Sequence, residues 1–439
     1  MKKLTTVVIA VSFIAAVLLL LFSIKSKPMD SLIHAPGRDG QTEQIWQVFE
    51  KAVGSDYTLK TPTDGGHRSA LIYVDLNNDM NDEIVAFYSK KGASETVCFH
   101  IFIPSGGSWI ALAGAESGFN ELKQVEFADI NGDGTNEIIV GWGLQNSKLL
   151  QQVNVYAIDF ENASIKSVFH TKYASFGVFD FDNDKKSELA VIFSNTSAET
   201  IVTGFRLFAF DNNKFNMIAS CEVDPMITTV SQMEFDYIRR MSCSRVYIDG
   251  YTSDGLMTTD VISYLISERK LNRVFVNGET VCSLSKRSTN VGCEDVNGDG
   301  IVEIPTQINL EYKSLSSSVI EWADIFDGRI SKVSRYFDNR ANDYYFEIPV
   351  QLQKIAIPAL LSDGKTMRIY AVEKDERGVL QSVPLFEIRI EYEEVINPIS
   401  SQFRLIETYK GKRYYYRIFE AGEKNGVTKK MISSNLIFT

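Results

Sequence analysis

Four stretches of this 439-residue chain share one acidic frame, with Asp at position 1, Asn or Asp at 3, Asp at 5 and Glu at 9. Oxygen-bearing side chains at alternate positions of a tight loop point toward one centre, and calcium binds six to eight such oxygens. The spacing therefore predicts four calcium loops. The candidate ligands are Asp75, Asn77, Asp79 and Glu83; Asp129, Asn131, Asp133 and Glu137; Asp180, Asp182, Asp184 and Glu188; and Asp295, Asn297, Asp299 and Glu303.

Position 6 separates the four loops into two pairs. Gly134 and Gly300 stand there in the Asp129 and Asp295 loops, and glycine permits a sharp turn. Met80 and Lys185 replace it in the other two, and Lys185 adds a positive charge. We therefore expect calcium in the Asp129 and Asp295 loops and regard the Asp75 and Asp180 loops as doubtful. A metal-free alternative stays open, because Asp and Asn also stabilise turns by bonding their own backbone.

The loops recur at a regular period, with the first three beginning at residues 75, 129 and 180. Around each, short apolar runs predict four strands, and the acidic loop joins the first strand to the second. A fourth unit keeps its strands without the loop, since Gln232 to Phe235 repeats Gln124 to Phe127 and Tyr237 replaces Asp129. The pattern predicts an all-β protein, a β-propeller of about five four-stranded blades with six or seven as alternatives. A β-sandwich is the competing architecture.

The loop frame resembles the calcium loops of FG-GAP and VCBS repeat propellers, in which acidic residues at positions 1, 3, 5 and 9 hold the ion. The resemblance covers residues 69 to about 335 and implies that the sixteen side chains above are calcium ligands. The chain also resembles uncharacterised surface proteins, often lipoproteins, of Gram-positive bacteria. It departs from the lipoproteins because no Cys follows its first apolar run before Cys98.

That apolar run, Val7 to Ile24, is flanked by lysines on both sides. Eighteen helical residues span roughly 27 Å, near the lower limit for crossing a bilayer. We expect an uncleaved single-pass membrane anchor with the body outside the cytoplasm; a cleaved signal peptide is the alternative. The expected divisions are residues 1–27 for the anchor or signal, 28–66 for a linker and short helix (41–53), 67–340 for the propeller repeats, and 341–439 for a small β-rich domain or degenerate blades.

The net charge and the cysteine count limit the expected partners and disulfides. A net charge of −11 argues against a nucleic-acid surface, which would be basic. Five cysteines cannot all pair internally, and Cys282 and Cys293 either form a disulfide or remain buried free thiols.

No sequence frame for catalysis or for cofactor binding surrounds any residue, so we predict neither kind of site. The expected function is a binding or scaffold module for an unknown protein or glycan ligand. The alternative is a surface polysaccharide-processing enzyme that uses the central face of the propeller. Two carboxylates with an Arg or Tyr in a deep pocket would favour the enzyme, and a shallow face with exposed aromatic residues would favour binding.

Overall fold

The structure is a computed structural model that describes residues 40–90, 92, 96–145, 147–196, 201–374, 376–393 and 400–439. The predicted anchor or signal segment, residues 1–27, lies outside these ranges. Within them, no helix has both the length and the apolar character needed to cross a membrane.

The described residues form six antiparallel sheets of four or five strands and one two-stranded ribbon. Sheet 1 contains β1 (Tyr57–Leu59), β2 (Leu71–Val74), β3 (Glu83–Lys90), β4 (Val97–Ser105) and β5 (Ser108–Glu116). Sheet 2 contains β6 (Glu121–Ala128), β7 (Glu137–Leu144), β8 (Ser147–Asp159) and β9 (Ser164–Lys172). Sheet 3 contains β10 (Ser175–Phe179), β11 (Glu188–Thr196), β12 (Ile201–Asp211) and β13 (Lys214–Glu222). Sheet 4 contains β14 (Thr229–Ile238), β15 (Cys243–Tyr251), β16 (Met257–Leu265) and β17 (Lys270–Arg273).

The remaining strands form a two-stranded ribbon and two five-stranded sheets. The ribbon pairs β18 (Phe275–Val276) with β19 (Glu279–Thr280). Sheet 5 contains β20 (Ile304–Tyr312), β21 (Leu315–Phe326), β22 (Arg329–Asn339), β23 (Tyr344–Glu347) and β29 (Leu436–Phe438). Sheet 6 contains β24 (Ala356–Leu360), β25 (Thr366–Lys374), β26 (Leu380–Tyr392), β27 (Arg404–Tyr409) and β28 (Lys412–Ile418). The predicted all-β fold is confirmed, and these repeated four-stranded sheets are consistent with propeller blades.

The core lies between successive sheets. Phe87 of sheet 1 meets Trp142 of sheet 2 with ring centroids 6.3 Å apart, and Phe346 of sheet 5 meets Phe386 of sheet 6 at 5.5 Å. Other apolar clusters join sheets 2 and 3, 3 and 4, and 4 and 5. Strand β7 is buried on both faces, which explains its uninterrupted apolar residues. Each sheet therefore packs on the next one in chain order.

Four α-helices accompany the described sheets: α1 (Gly40–Val53), α2 (Val281–Leu284), α3 (Glu420–Lys424) and α4 (Lys429–Ser434). The predicted amphipathic helix is confirmed as α1. Its apolar residues Ile45, Phe49 and Val53 recur at helical spacing and are buried against sheet 1, where they contact Tyr88 and Phe102.

The connection from sheet 4 to sheet 5 is held by a buried ion pair. Arg287 Nη2 donates to Asp249 Oδ1 at 2.7 Å, and neither side chain is exposed. Of the two alternatives for Cys282 and Cys293, free thiols are found. Cys282 packs in the cluster between sheets 3 and 4, whereas Cys293 packs between sheets 4 and 5, so the two thiols face different cores.

Two strands that follow residue 341 belong to sheet 5, whose first three strands precede that residue. Strand β23 pairs with β22, and β29 pairs with β23. The expected division at residue 341 stays a prediction. In sheet 6, Tyr414 and Tyr416 are buried and Tyr415 is half-buried, as expected of consecutive residues on a strand with alternating faces.

Candidate metal-binding loops

The Asp129 and Asp180 loops each join the first strand of a sheet to the second, as predicted, and the Asp75 loop joins β2 to β3, since the short strand β1 comes before them in sheet 1. The Asp295 loop precedes β20, and its two ends meet through a single bridge between Glu294 and Glu303. The four loops thus occupy one topological position. The pairing of neighbouring strands fixes the distance between the two ends of each loop, so the loop must reverse the chain direction within that distance.

Each loop folds on its own carboxylates. The Asp at position 1 accepts the backbone N–H of position 6, at 2.8 Å in three loops and 3.0 Å in the Asp129 loop. The Asp at position 5 accepts the N–H of position 7 at 2.8 or 2.9 Å in all four. These contacts are the turn-stabilising bonds of the metal-free alternative, and they also bring the carboxylates together.

Two residues of each loop are left-handed, at positions 4 and 6. At position 6, φ is 87° for Gly134, 68° for Met80 and 74° for Lys185. This conformation is unfavourable by about 1 kcal/mol or more for a residue with a side chain, so the loop contacts must offset it. The sequence pattern above used position 6 alone. Asn or Gly at position 4 in all four loops also indicates a left-handed residue.

The Glu at position 9 is the most buried of the four candidate ligands in each loop. Glu83, Glu137, Glu188 and Glu303 are at most 4% exposed. In every loop this carboxylate accepts the N–H of position 2, at 2.7 to 2.9 Å. Burial raises the pKa of all four carboxyls, to about 7 for Glu137, about 8 for Glu188 and about 7 for Glu303, and the nearby Asp side chains raise it further. The fold therefore concentrates negative charge where solvent screens it poorly.

Two of the loops hold three carboxylates close enough to share one ion. One oxygen each from Asp180, Asp182 and Glu188 lie within 4.8 Å of one another, and so do oxygens of Asp295, Asp299 and Glu303. Oxygens bound to one calcium ion at 2.3–2.6 Å lie at most about 5 Å apart, so both groups fit calcium. Asp182 Oδ1 is also buried with no hydrogen-bond partner among the described residues.

The side chain at position 3 decides how the metal-free loop satisfies its carboxylates. Asn131 Nδ2 donates to Asp133 Oδ2 at 2.9 Å and also to Glu137 Oε1. Asn297 donates to Glu303 Oε1 at 2.7 Å in the same way. The Asp180 loop has a fourth carboxylate, Asp182, in place of this donor. A cation bound in the Asp180 loop would offset the negative charge of the carboxylates, which in the Asp129 and Asp295 loops accept hydrogen bonds from the Asn amide.

The three-carboxylate groups are found in the Asp180 and Asp295 loops, whereas the sequence favours calcium in the Asp129 and Asp295 loops. We regarded the Asp180 loop as doubtful because of Lys185, yet Lys185 is exposed and contributes its backbone N–H. Position 6 supplies backbone alone, so its side chain matters less than the side chain at position 3. The carboxylates of the Asp129 loop do not form such a three-residue group in the described structure.

Asp324 of β21 adds a carboxylate to the Asp295 loop. Its Oδ1 is buried without a partner among the described residues, and its pKa is raised by burial and by Asp299. It also contributes, after burial, to the raised pKa of Glu303. Sequence analysis missed it because it comes from another strand, outside the repeated frame.

Neighbouring loops are bonded to one another through position 8. Asn136 N donates to Leu76 O of the preceding loop at 2.7 Å, and its side-chain amide donates to Asp75 O at 2.9 Å. Ser187 N donates to Asp129 O at 2.9 Å. The loops of sheets 1, 2 and 3 therefore form a continuous row.

Sheet 4 has a 3₁₀ turn, Arg239–Met241, where sheets 1, 2 and 3 have the loop. The row continues nevertheless. Ser244 Oγ donates to Phe181 O of the preceding loop at 2.8 Å, and Asp236 Oδ2 accepts Val302 N of the next one at 3.1 Å. The acidic loop is absent at Tyr237, as predicted, and the contacts between neighbouring sheets are nevertheless present.

No protein-family model matches this chain, and no curated protein matches it. The fold and the loops define its class: a mostly β protein of repeated four-stranded antiparallel sheets with acidic clusters that could hold a metal ion.

Proposed function

We propose that this protein is a calcium-binding β-propeller of the FG-GAP/VCBS type, with the six sheets as its blades. The regular loop period, the packing of each sheet on the next and the row of bonded loops support this assignment. The loops lie at one connection of successive sheets, which is where a propeller would place them along one face.

Calcium is the proposed ion, and the crowded carboxylates of the Asp180 and Asp295 loops are the observation that carries it. Glu188 and Glu303 are buried beside two further carboxylates each. Ionising all three is unfavourable without a cation, and calcium accepts many oxygen ligands in flexible geometry. A bound ion would stabilise the loop and, through position 8, its contact with the neighbouring sheet.

Thermal unfolding with calcium and with a chelator tests this proposal. Calcium at ten to a hundred times its dissociation constant should add about 1–3 kcal/mol of stability. Asp133→Ala and Asp299→Ala should each reduce the calcium-dependent shift. Asp159→Ala is the matched control, because Asp159 also caps a turn, accepting Asn162 N at 2.9 Å, but stands outside the acidic frame. Equal melting temperatures with calcium and with chelator would remove the metal assignment.

The proposed role is a binding or scaffold module held outside the cytoplasm by a single-pass N-terminal membrane anchor. Weak calcium sites fill where calcium is near millimolar, as in extracellular modules. The ligand would be a protein or a glycan. Protease protection of intact cells tests the location: digestion of the body by an external protease supports it, and digestion after lysis alone contradicts it.

One observation favours the second candidate, a surface polysaccharide-processing enzyme. The carboxylates of Glu234 and Glu294 and the guanidinium of Arg340 line one cleft. Release of reducing ends from polysaccharides, abolished by Glu234→Gln, would establish an enzyme. Binding of a polysaccharide without release of reducing ends would support the binding module and not the enzyme.

A further inference from the structure

A cleft of about 570 Å³ lies beside the Asp295 loop, between β14 and the segment 290–302. A smaller recess of about 50 Å³ adjoins it and shares Glu294 and Arg340 as lining residues. The cleft is of the size of small-ligand sites in proteins, roughly 300–1,000 Å³. We infer that the cleft and its recess bind a neutral saccharide unit of a glycan. This inference rests on the proposed binding function and names its ligand class.

The recess has an aromatic wall built by three successive strands. Trp322 of β21 meets Tyr336 of β22 with centroids 6.2 Å apart, and Tyr336 meets Tyr345 of β23 at 5.0 Å. All three line the recess. Aromatic rings offer apolar area against which the C–H face of a sugar ring packs.

Trp322 also carries an unused hydrogen-bond donor. Its side chain is 4% exposed, and its Nε1 has no partner among the described residues. Buried indole N–H groups usually have a partner, because an unpaired donor keeps its full desolvation cost. A ligand that reaches this donor must therefore present an acceptor.

Two acceptors without a partner among the described residues also line the cleft. Glu234 and Glu294 are both exposed, and no cation among the described residues lies within ion-pair distance of either. Arg340 is already bound to Asp338 through Nε and Nη2, each at 3.1 Å. The cleft therefore has a negative excess, which opposes a ligand that carries carboxylates.

Sheet 2 has the same pair of residues, Gln and Glu, at the corresponding strand position. There Gln124 Nε2 donates to Glu126 Oε1 at 2.9 Å and satisfies it. In sheet 4, Gln232 instead donates to Asp249 Oδ2 at 3.2 Å and to Cys293 O at 3.4 Å. Glu234 is thereby left without the amide that its counterpart has.

A saccharide satisfies this combination of groups. Its hydroxyls donate to carboxylates and accept from N–H groups, and its ring packs on aromatic side chains. A simple amine would pair with Glu234 and Glu294 but would offer no acceptor to Trp322. A uronic acid would be repelled by the same carboxylates.

A glycan array probed with the full-length chain in calcium tests the inference, followed by calorimetry on the strongest neutral glycan. Spermine and a galacturonic acid hexamer serve as the cationic and anionic probes. We expect a neutral or N-acetylated glycan to bind, and Glu294→Gln and Trp322→Phe each to weaken binding about tenfold by removing one hydrogen bond. Glu126→Gln, at the position of sheet 2 that corresponds to Glu234, should bind like the natural chain.

Glu294 is exposed, so its substitution tests the cleft even if Trp322→Phe disturbs folding. Absence of binding to every neutral glycan would overturn the inference, and so would preference for spermine or the galacturonic acid hexamer. Binding unchanged in both cleft variants would overturn it as well. The calcium-dependent melting shift is read separately, so a failed glycan assay with an intact shift leaves the proposed calcium propeller standing.

Discussion

Replacing Asp182 with Asn should make the calcium-free protein more stable while weakening its calcium binding. Asp182 is the position 3 residue of its loop, where the other three loops have Asn. Its Oδ1 is buried without a partner among the described residues, and its pKa is raised by burial and by Asp184 and Asp180. An amide there would donate to Glu188, as Asn131 donates to Glu137.

The magnitude follows from the state of Glu188. Burial and three nearby Asp carboxylates raise its pKa to about 8, so keeping it in the fold near pH 7.5 is unfavourable by about 4 kcal/mol. Most of this comes from burial and remains in the variant. Removing one negative charge and adding one hydrogen bond should recover about 1–2 kcal/mol. Loss of a charged ligand should weaken calcium binding about tenfold, or about 1.4 kcal/mol.

Chemical denaturation of both chains, in chelator and in saturating calcium, measures the four free energies of unfolding. The reciprocal variant Asn131→Asp is the matched control and should behave oppositely: less stable in chelator, with a larger gain from calcium. The reasoning is refuted if Asp182→Asn is less stable than the natural chain in chelator, or if its gain from calcium is undiminished.

Three further outcomes follow from buried groups. Phe49→Ala should lower the free energy of unfolding by about 3–5 kcal/mol in urea, because Phe49 is fully buried between α1 and sheet 1; a loss below about 1 kcal/mol would show that α1 is not docked. Arg287→Met should cost about 3–5 kcal/mol by leaving the buried Asp249 carboxylate without its cation, and adding Asp249→Leu should restore part of it, since the N–H of Cys293 then loses its acceptor; a double variant no better than the single one contradicts this. Burial raises the pKa of Asp260 to about 6 against the opposing effect of Arg273. The stability that depends on protonation of this carboxyl, about 3 kcal/mol, is therefore present below pH 4 and is lost as pH rises to 6. Asp260→Asn should flatten that part of the plot of unfolding free energy against pH, and a plot parallel to that of the natural chain would contradict this.

The repeat could be predicted because its loops and strands are encoded locally. Asp at positions 1 and 5 bonds the backbone of its own loop, so the frame at Asp129 or Asp295 identifies the turn without any neighbour. The short helix at Gly40–Val53 was visible for the same reason, since its apolar spacing lies within one segment. Sheet 4 was found from the repeated residues at Gln232 to Phe235 alone.

The order of the candidate metal loops could not be predicted from position 6. That residue acts through its backbone, whereas Asp182 distinguishes the Asp180 loop and the Asp295 loop brings its carboxylates together although it keeps Asn297. Asp324 reaches the Asp295 loop from a different strand, so no local pattern records it. Trp322 and Glu294 meet at the recess because separate strands bring them together.

Sheet 4 explains why a loop could be lost without loss of the fold. If the acidic loops served calcium alone, a sheet without one would lack a contact to both neighbours. Instead Asp236 takes the N–H of Val302 with a side-chain carboxylate, and Ser244 reaches back to the backbone carbonyl of Phe181. Both bonds join the same neighbours that a loop would join, without using a metal ligand. The row of contacts is therefore the shared structural requirement, and the cation binding that we propose would be added to it by individual loops through their own carboxylates.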